Sequence, residues 1–186
     1  MVRDDRKKRY SSTPFLFIAT IGVLTVCFLE KTKPYLPYAK VFYNLGLEAE
    51  GKKDFSRALY DYRQSLRYDP GFPYTYYRIG LISFRKSDFV KAAEYFWKSV
   101  GLDPSFNEGF DGLGLCYLEQ GNYQRAIACF KKAVRVDNPF FRYHLGLAYA
   151  KGGYKDNAVD VAAELRRKGA SNFADQLETS IKSLYN

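Results

Sequence analysis

The sequence predicts an all-α solenoid, and three observations predict it. A Leu-Gly step recurs at a fixed interval: Leu45-Gly46, Ile79-Gly80 and Leu113-Gly114 stand 34 residues apart, and Leu145-Gly146 follows 32 residues later. Other positions travel with it at the same 34-residue spacing, namely Ala58, Ala92 and Ala126, then Tyr62, Phe96 and Phe130, then Asp69-Pro70 and Asp103-Pro104. Each copy also contains two apolar stretches with helical spacing, separated by a polar break such as Gly51-Lys52-Lys53-Asp54 or Glu119-Gln120-Gly121-Asn122. One helix pair cannot bury its own apolar face, whereas stacked pairs bury a continuous one.

The elements follow from that period. Repeats are placed at 39–72, 73–106, 107–138 and 139–168. Within each, the Gly after Leu and the downstream Ala are expected on facing helices that approach closely, with Tyr62, Phe96 and Phe130 filling the space beside them. Asp69-Pro70 and Asp103-Pro104 end the second helices, because proline restricts the residue before it and cannot continue the hydrogen-bond ladder. The third repeat is shortened at Asn138-Pro139. The fourth is degenerate, with Ala162 where a large aromatic is expected. After Gly169, a helix stop, Ser171-Asn172 is expected to cap a final helix within 169–186, with Phe173, Leu177, Ile181 and Leu184 on one face to cover the end of the stack.

A 34-residue period with these markers closely resembles the tetratricopeptide repeat family. The resemblance implies a protein-binding solenoid whose first helices line a concave groove. Carried onto this chain, the groove residues are Tyr43, Tyr74, Tyr77, Arg78, Leu81, Phe84, Arg85, Asp111, Glu119, Tyr143 and His144, with Lys40, Leu47, Glu108, Leu115, Leu118, Phe140 and Leu147 beside them. Such a groove runs from an aromatic, basic half into an acidic one. Family members that hold the C-terminal carboxylate of heat-shock chaperones use Lys, Asn and Arg at set positions. Here Asn44 is present, but Tyr43, Leu47, Arg78, Glu108 and Gly112 do not reproduce that set.

The N-terminus is a separate object. Tyr10 to Leu29 is 20 residues without a formal charge, and a helix of that length spans about 30 Å, roughly a hydrocarbon core. It is preceded by a basic tail at 1–9, with five Lys or Arg against two Asp, and followed by a Pro/Tyr linker at 30–38. A small-x-small cleavage pattern is missing after the apolar run, so an uncleaved signal anchor is expected at 10–29. The alternatives are a cleaved signal peptide, a buried helix of a soluble protein, and a lipoprotein site at Leu24-Thr25-Val26-Cys27, where Val26 replaces the expected small residue. The basic flank predicts a cytoplasmic N-terminus, with the repeats outside the cytoplasm, in the periplasm if the source is Gram-negative; a eukaryotic organelle protein with its repeats facing the cytosol is the alternative layout.

Composition adds limits. The chain is 47% hydrophobic and 18% aromatic, with 17 Tyr and 15 Phe. Three Cys and one His do not make a metal cluster, and no cofactor, small-molecule substrate or metal is expected. Cys116 and Cys129 are expected as buried free thiols, the alternative being a disulfide between them in an oxidising compartment. No P-loop, nucleophile elbow or zinc helix occurs, Asp and Glu are expected on solvated positions, and an enzyme is not expected. The net charge of +9 is spread out: residues 155–186 are balanced, and 30–154 carry 19 basic against 13 acidic residues. Part of that excess is a stripe on the second helices, Arg57, Arg63, Lys91, Lys98, Arg125, Lys131 and Lys132. The plain expectation is a solvated convex face with some carboxylate partners; the sharper one is contact with anionic lipid or an acidic neighbour. No nucleic-acid module is recognisable. The expected function is a membrane-anchored scaffold binding a protein partner in the groove, the alternative a permanent subunit of a larger membrane complex.

Overall fold

The structure, a computed structural model, describes residues 36–134 and 137–185. The tail at 1–9, the span at 10–29 with Cys27, and the linker up to residue 35 lie outside the described residues. Among the described residues no helix is long and apolar enough to cross a membrane.

The described residues from Tyr38 onward form one compact unit. Nine helices and no strands are found among the described residues: α1 Leu36–Gly51, α2 Phe55–Tyr68, α3 Pro73–Arg85, α4 Phe89–Leu102, α5 Asn107–Glu119, α6 Tyr123–Ala133, α7 Pro139–Lys151, α8 Lys155–Arg167 and α9 Ser171–Tyr185. The sequence pattern explains the boundaries. Asp54, Asp88 and Asn122 each accept a hydrogen bond from the backbone N–H three residues on, which caps α2, α4 and α6. Asp69 and Asp103 leave the helical conformation at the ends of α2 and α4. Their carboxylates then accept the backbone N–H of Gly71 and Ser105, so each Asp-Pro step closes a local turn.

The turn inside each repeat bears on stability. Lys53, Ser87, Gly121 and Gly153 occupy the same place in the four repeats, and all have positive φ. Only the last two are glycine, the residue that adopts this conformation without a Cβ penalty. Gly169 also has positive φ, after α8.

Each aromatic of the repeat lies directly on the glycine of the Leu-Gly step. A Cβ placed on Gly80 would sit 2.8 Å from Phe96 Cε1, and one on Gly114 would sit 2.6 Å from Phe130 Cε1. Tyr62 covers Gly46 in the same way. The glycine thus makes room for a ring as well as for the facing helix, and Ala58, Ala92 and Ala126 are fully buried beside it. In the fourth repeat, Leu177 of α9 and Val161 cover Gly146. The cap therefore supplies the bulk that Ala162 lacks.

Two details differ from expectation at the C-terminus. Ser171 and Asn172 lie in the first turn of α9, whose Ala174 N–H already bonds to the Ala170 carbonyl. Leu184 is exposed, while Ala174, Leu177 and Ile181 are buried; the end of α9 is tied instead by Tyr185, whose hydroxyl donates to the Ala150 carbonyl at 2.8 Å.

The helix order also defines two surfaces. The first helices α3, α5 and α7 touch one another in succession, whereas α2, α4, α6 and α8 make no comparable contact among themselves. First helices therefore crowd on an inner, concave side and second helices fan out on a convex one.

Candidate functional site

The inner face is lined by a ladder of rings. Tyr43 meets Phe72 edge-on at 5.1 Å, Phe72 meets Tyr74 at 5.6 Å, Tyr74 meets Phe106 at 5.1 Å and Phe106 meets Tyr77 at 5.0 Å. Such edge-to-face pairs are favoured by the ring quadrupole. Phe72 and Phe106 bridge successive repeats from the residues just before α3 and α5. A second cluster joins Phe140, Tyr143, His144 and Phe173, with Phe140 and His144 at 4.2 Å.

Burial sorts the groove residues. Tyr77, Leu81 and Phe84 are half-buried against the core around Phe96 and Leu113. Tyr74 is 43% exposed and Phe140 is 44% exposed. Glu108, Glu119 and Arg85 are exposed. Tyr43 and Tyr143 are half-buried, the latter against Phe173 at 5.7 Å.

Two buried carboxylates organise the polar part, which corrects the expectation that acidic residues occupy only solvated positions. Glu50 accepts a hydrogen bond from the buried Tyr62 hydroxyl at 2.8 Å and lies 3.8 Å from Arg78 and 3.7 Å from Arg85. Burial works against the Arg78 charge, but its hydrogen bond with Tyr43 and the nearby Glu50 hold its pKa above the ordinary value. Asp111 and His144, both buried, join Oδ1 to Nδ1 at 2.7 Å across α5 and α7. Burial pushes the Asp111 carboxyl above its usual range, although the His144 hydrogen bond opposes the shift. Burial, with the Asp111 charge second, pushes the Tyr77 phenol up to about 12. Asp61, a third buried acid, accepts from Arg57 Nε at 2.9 Å.

The titratable groups of the inner face are engaged mainly with one another. Neither Asp111 nor His144 has a hydroxyl or thiol partner among the described residues. No group of three His, Cys, Asp or Glu side chains able to hold a metal occurs among the described residues. Cys116 and Cys129 are buried free thiols, pushed up by burial to about 12 and about 11 respectively, so neither is nucleophilic at neutral pH.

Of the seven cations of the stripe, Arg57 alone pairs with a carboxylate among the described residues. Five of the stripe's cations lie on aromatic rings: Arg57 on Tyr60, Lys98 on Tyr76 and Tyr95, Arg125 on Tyr117, Lys131 on Tyr149 and Lys132 on Phe110. Sequence reasoning missed these partners, and it missed Glu50, Phe72 and Phe106. The signal for the last two was present, since Pro70-Gly71-Phe72 recurs as Pro104-Ser105-Phe106 at the repeat period.

The family model for the tetratricopeptide repeat matches residues 43–105 and 112–173. The chain belongs to the tetratricopeptide repeat family. Proteins of this family are typically non-catalytic scaffolds. The tetratricopeptide solenoid is similar to a MamA protein of known crystal structure, at 21% identity over 79% of this chain and 91% of that one, with a TM-score of 0.63. MamA 41-end from Desulfovibrio magneticus RS-1 gives 18% identity over 79% and 94%, with a TM-score of 0.64. The tetratricopeptide domain of Arabidopsis OM64 gives 16% over 59% and 93%, with a TM-score of 0.57. At these identities the likeness concerns the fold. No curated protein matches the chain in sequence.

Proposed function

We propose that this tetratricopeptide protein is a non-enzymatic, membrane-anchored adaptor whose concave groove holds a segment of a protein partner. The observation that supports the groove is the ring ladder. Core packing accounts for Tyr77, Leu81 and Phe84, but it does not account for Tyr74 and Phe140, which remain exposed on the inner face. Aromatic residues and Arg are enriched in protein interfaces, and Tyr and Arg among their hot spots. The anchor is Tyr10 to Leu29, with the tail in the cytoplasm and the repeats outside it, on the strength of the uncharged span and the basic flank.

Tagged full-length protein purified in mild detergent tests the groove, with co-migrating protein identified by mass spectrometry. Tyr74→Ala with Phe140→Ala is expected to abolish capture while the melting temperature stays near that of the parent. Arg78 is a poorer target, because its loss would strip a partner from buried Glu50. Capture that survives the groove pair but is lost when Arg63, Lys98 and Lys132 are neutralised would move the site to the convex face. For topology, a protease that cannot cross the membrane should cut the repeats only after the outer compartment is opened. Cleavage from the cytoplasmic side, or a mature N-terminus beginning after Leu29, overturns that part.

A further inference from the structure

The convex face carries more unpaired positive charge than a solvated helix row needs. Helices α2, α4 and α6 together hold eight Lys or Arg and two acidic residues. One of those acids, Asp61, is buried on Arg57; the other, Glu94, is exposed on α4. In α8 three basic residues face three acidic ones, so the excess stops at the third repeat. The repeat period puts Arg57, Lys91 and Arg125 in equivalent places, and likewise Lys98 and Lys132. The row is therefore in register across three repeats.

Apolar groups sit among these cations. Trp97 is 51% exposed and Val90 is 66% exposed, both on α4. The Trp97 indole N–H donates to the Tyr117 hydroxyl at 3.0 Å, which satisfies its polar edge and leaves the ring outward. Trp97, Tyr117, Arg125, Ala128, Cys129 and Lys132 line an open trough of about 420 Å³. Stacking on Tyr117 and Phe110 holds Arg125 and Lys132 against the surface.

From this face we propose that the convex side of the second and third repeats docks on an anionic bilayer. Trp97 enters the headgroup layer, where an amphipathic ring is favoured. Lys98, Arg125, Lys131 and Lys132 bind the phosphates around it, as polybasic surfaces do beside anionic lipids. Charge spread in register over several repeats, with a single projecting indole and one exposed acid, suits a laterally uniform negative surface. The inference does not depend on the groove, which lies on the opposite side of each helix pair.

Trp97 is the only tryptophan of the chain and therefore reports on itself. The full-length protein is reconstituted in phosphatidylcholine vesicles with or without phosphatidylglycerol, using lipids brominated on their acyl chains. With phosphatidylglycerol, Trp97 emission is expected to shift to the blue and be quenched by bromine. Raising salt to about 0.5 M should reverse this as the Debye length shrinks. Replacing Lys98, Arg125, Lys131 and Lys132 by Gln should remove roughly five-fold of surface affinity per charge and abolish the quenching, with the helical melt preserved. Tyr74→Ala should leave it intact. Equal Trp97 emission in both lipids overturns the proposal. So does an RNA oligonucleotide that shifts the emission where anionic vesicles do not, which would make the stripe a nucleic-acid surface.

Discussion

Adding one methyl group at Gly80 should unfold the stack more easily, although alanine is the better helix former. A Cβ there would lie 2.8 Å from Phe96 Cε1, 2.9 Å from Cδ1 and 3.2 Å from Cζ. The ring has little room to move, because the same edge also meets Gly112 of α5, whose own Cβ would lie 2.7 Å from Phe96 Cζ. Phe96 is fully buried, so it has no solvent side to swing into. Alanine gains about 0.5–1 kcal/mol of helix propensity over glycine, while overpacking costs about 1–3 kcal/mol. The net expectation for Gly80→Ala is a loss of about 1–2 kcal/mol, and Gly80→Leu should cost more. At about 2–4 °C per kcal/mol for a domain of this size, the melting temperature should fall by about 2–8 °C. Gly101 of α4 is the control: a Cβ there meets nothing within 4 Å, so Gly101→Ala should raise stability by about 0.5–1 kcal/mol. Phe96→Leu in the Gly80→Ala background should cost less than in the parent, since the smaller side chain relieves the contact. A Gly80→Ala variant as stable as Gly101→Ala would show that the ring is not locked against the two glycines, and the reasoning would fail.

Three other changes test other parts of the fold. Ser87→Gly should stabilise by about 0.5–1 kcal/mol, because Ser87 has φ +60° and only glycine takes that conformation at no steric cost; a denaturant melt reads it, and destabilisation would refute the turn geometry. Glu50→Ala should cost about 2–3 kcal/mol by leaving the buried Tyr62 hydroxyl and the Arg78 and Arg85 guanidinium groups without their carboxylate, whereas Glu48→Ala, which breaks an exposed pair with Lys52, should leave the melting temperature unchanged. In a Cys27→Ser background, Cys116 and Cys129 should resist a thiol reagent at pH 8 until the chain unfolds. Their folded pKa values, about 12 and about 11, are raised. The folded state thus keeps protons that the unfolded state releases. That stability is complete below about pH 8.5, the ordinary thiol value, and is lost as pH rises through 11 and 12. Rapid native labelling would contradict the burial.

The repeat period made the helices legible because it ties several positions to one cause. The Leu-Gly steps, the small residues at Ala58, Ala92 and Ala126, and the Asp-Pro stops all serve the same packed pair, and all stand where the period places them. Partnerships between repeats were not legible. Glu50 reads as one more acid before a polar break, and only the stack brings Tyr62, Arg78 and Arg85 to it. Leu177 reads as a cap residue, and only the fold puts it over Gly146, where the repeat lacks an aromatic. The left-handed turns fell between these cases. Gly121 and Gly153 signalled them, while Lys53 and Ser87 concealed the same conformation in the first two repeats.

The distribution of paired and unpaired charge decides what each surface can recognise. Sequence positions suggest a groove running from basic to acidic, but much of that charge is already engaged within the chain. Glu50 engages Arg78 and Arg85 at one end, and His144 engages Asp111 toward the other. A partner segment would have to displace Glu50 to use the Arg78 charge, and the buried Tyr62 hydroxyl would then lose its acceptor. Recognition in the groove therefore falls to ring faces and edges, above all Tyr74 and Phe140, with exposed Glu108 and Glu119 available at the rim. The convex side is the reverse case. Lys98, Arg125, Lys131 and Lys132 rest on neutral rings, which orient a cation without cancelling it. Binding in the groove should accordingly vary little with salt, while binding to the convex face should collapse with it. Titrating salt against each surface separately, with Tyr74→Ala marking one and Lys132→Gln the other, distinguishes them. Equal salt dependence at both would mean that Glu50 and His144 do not engage the groove charges as the structure places them.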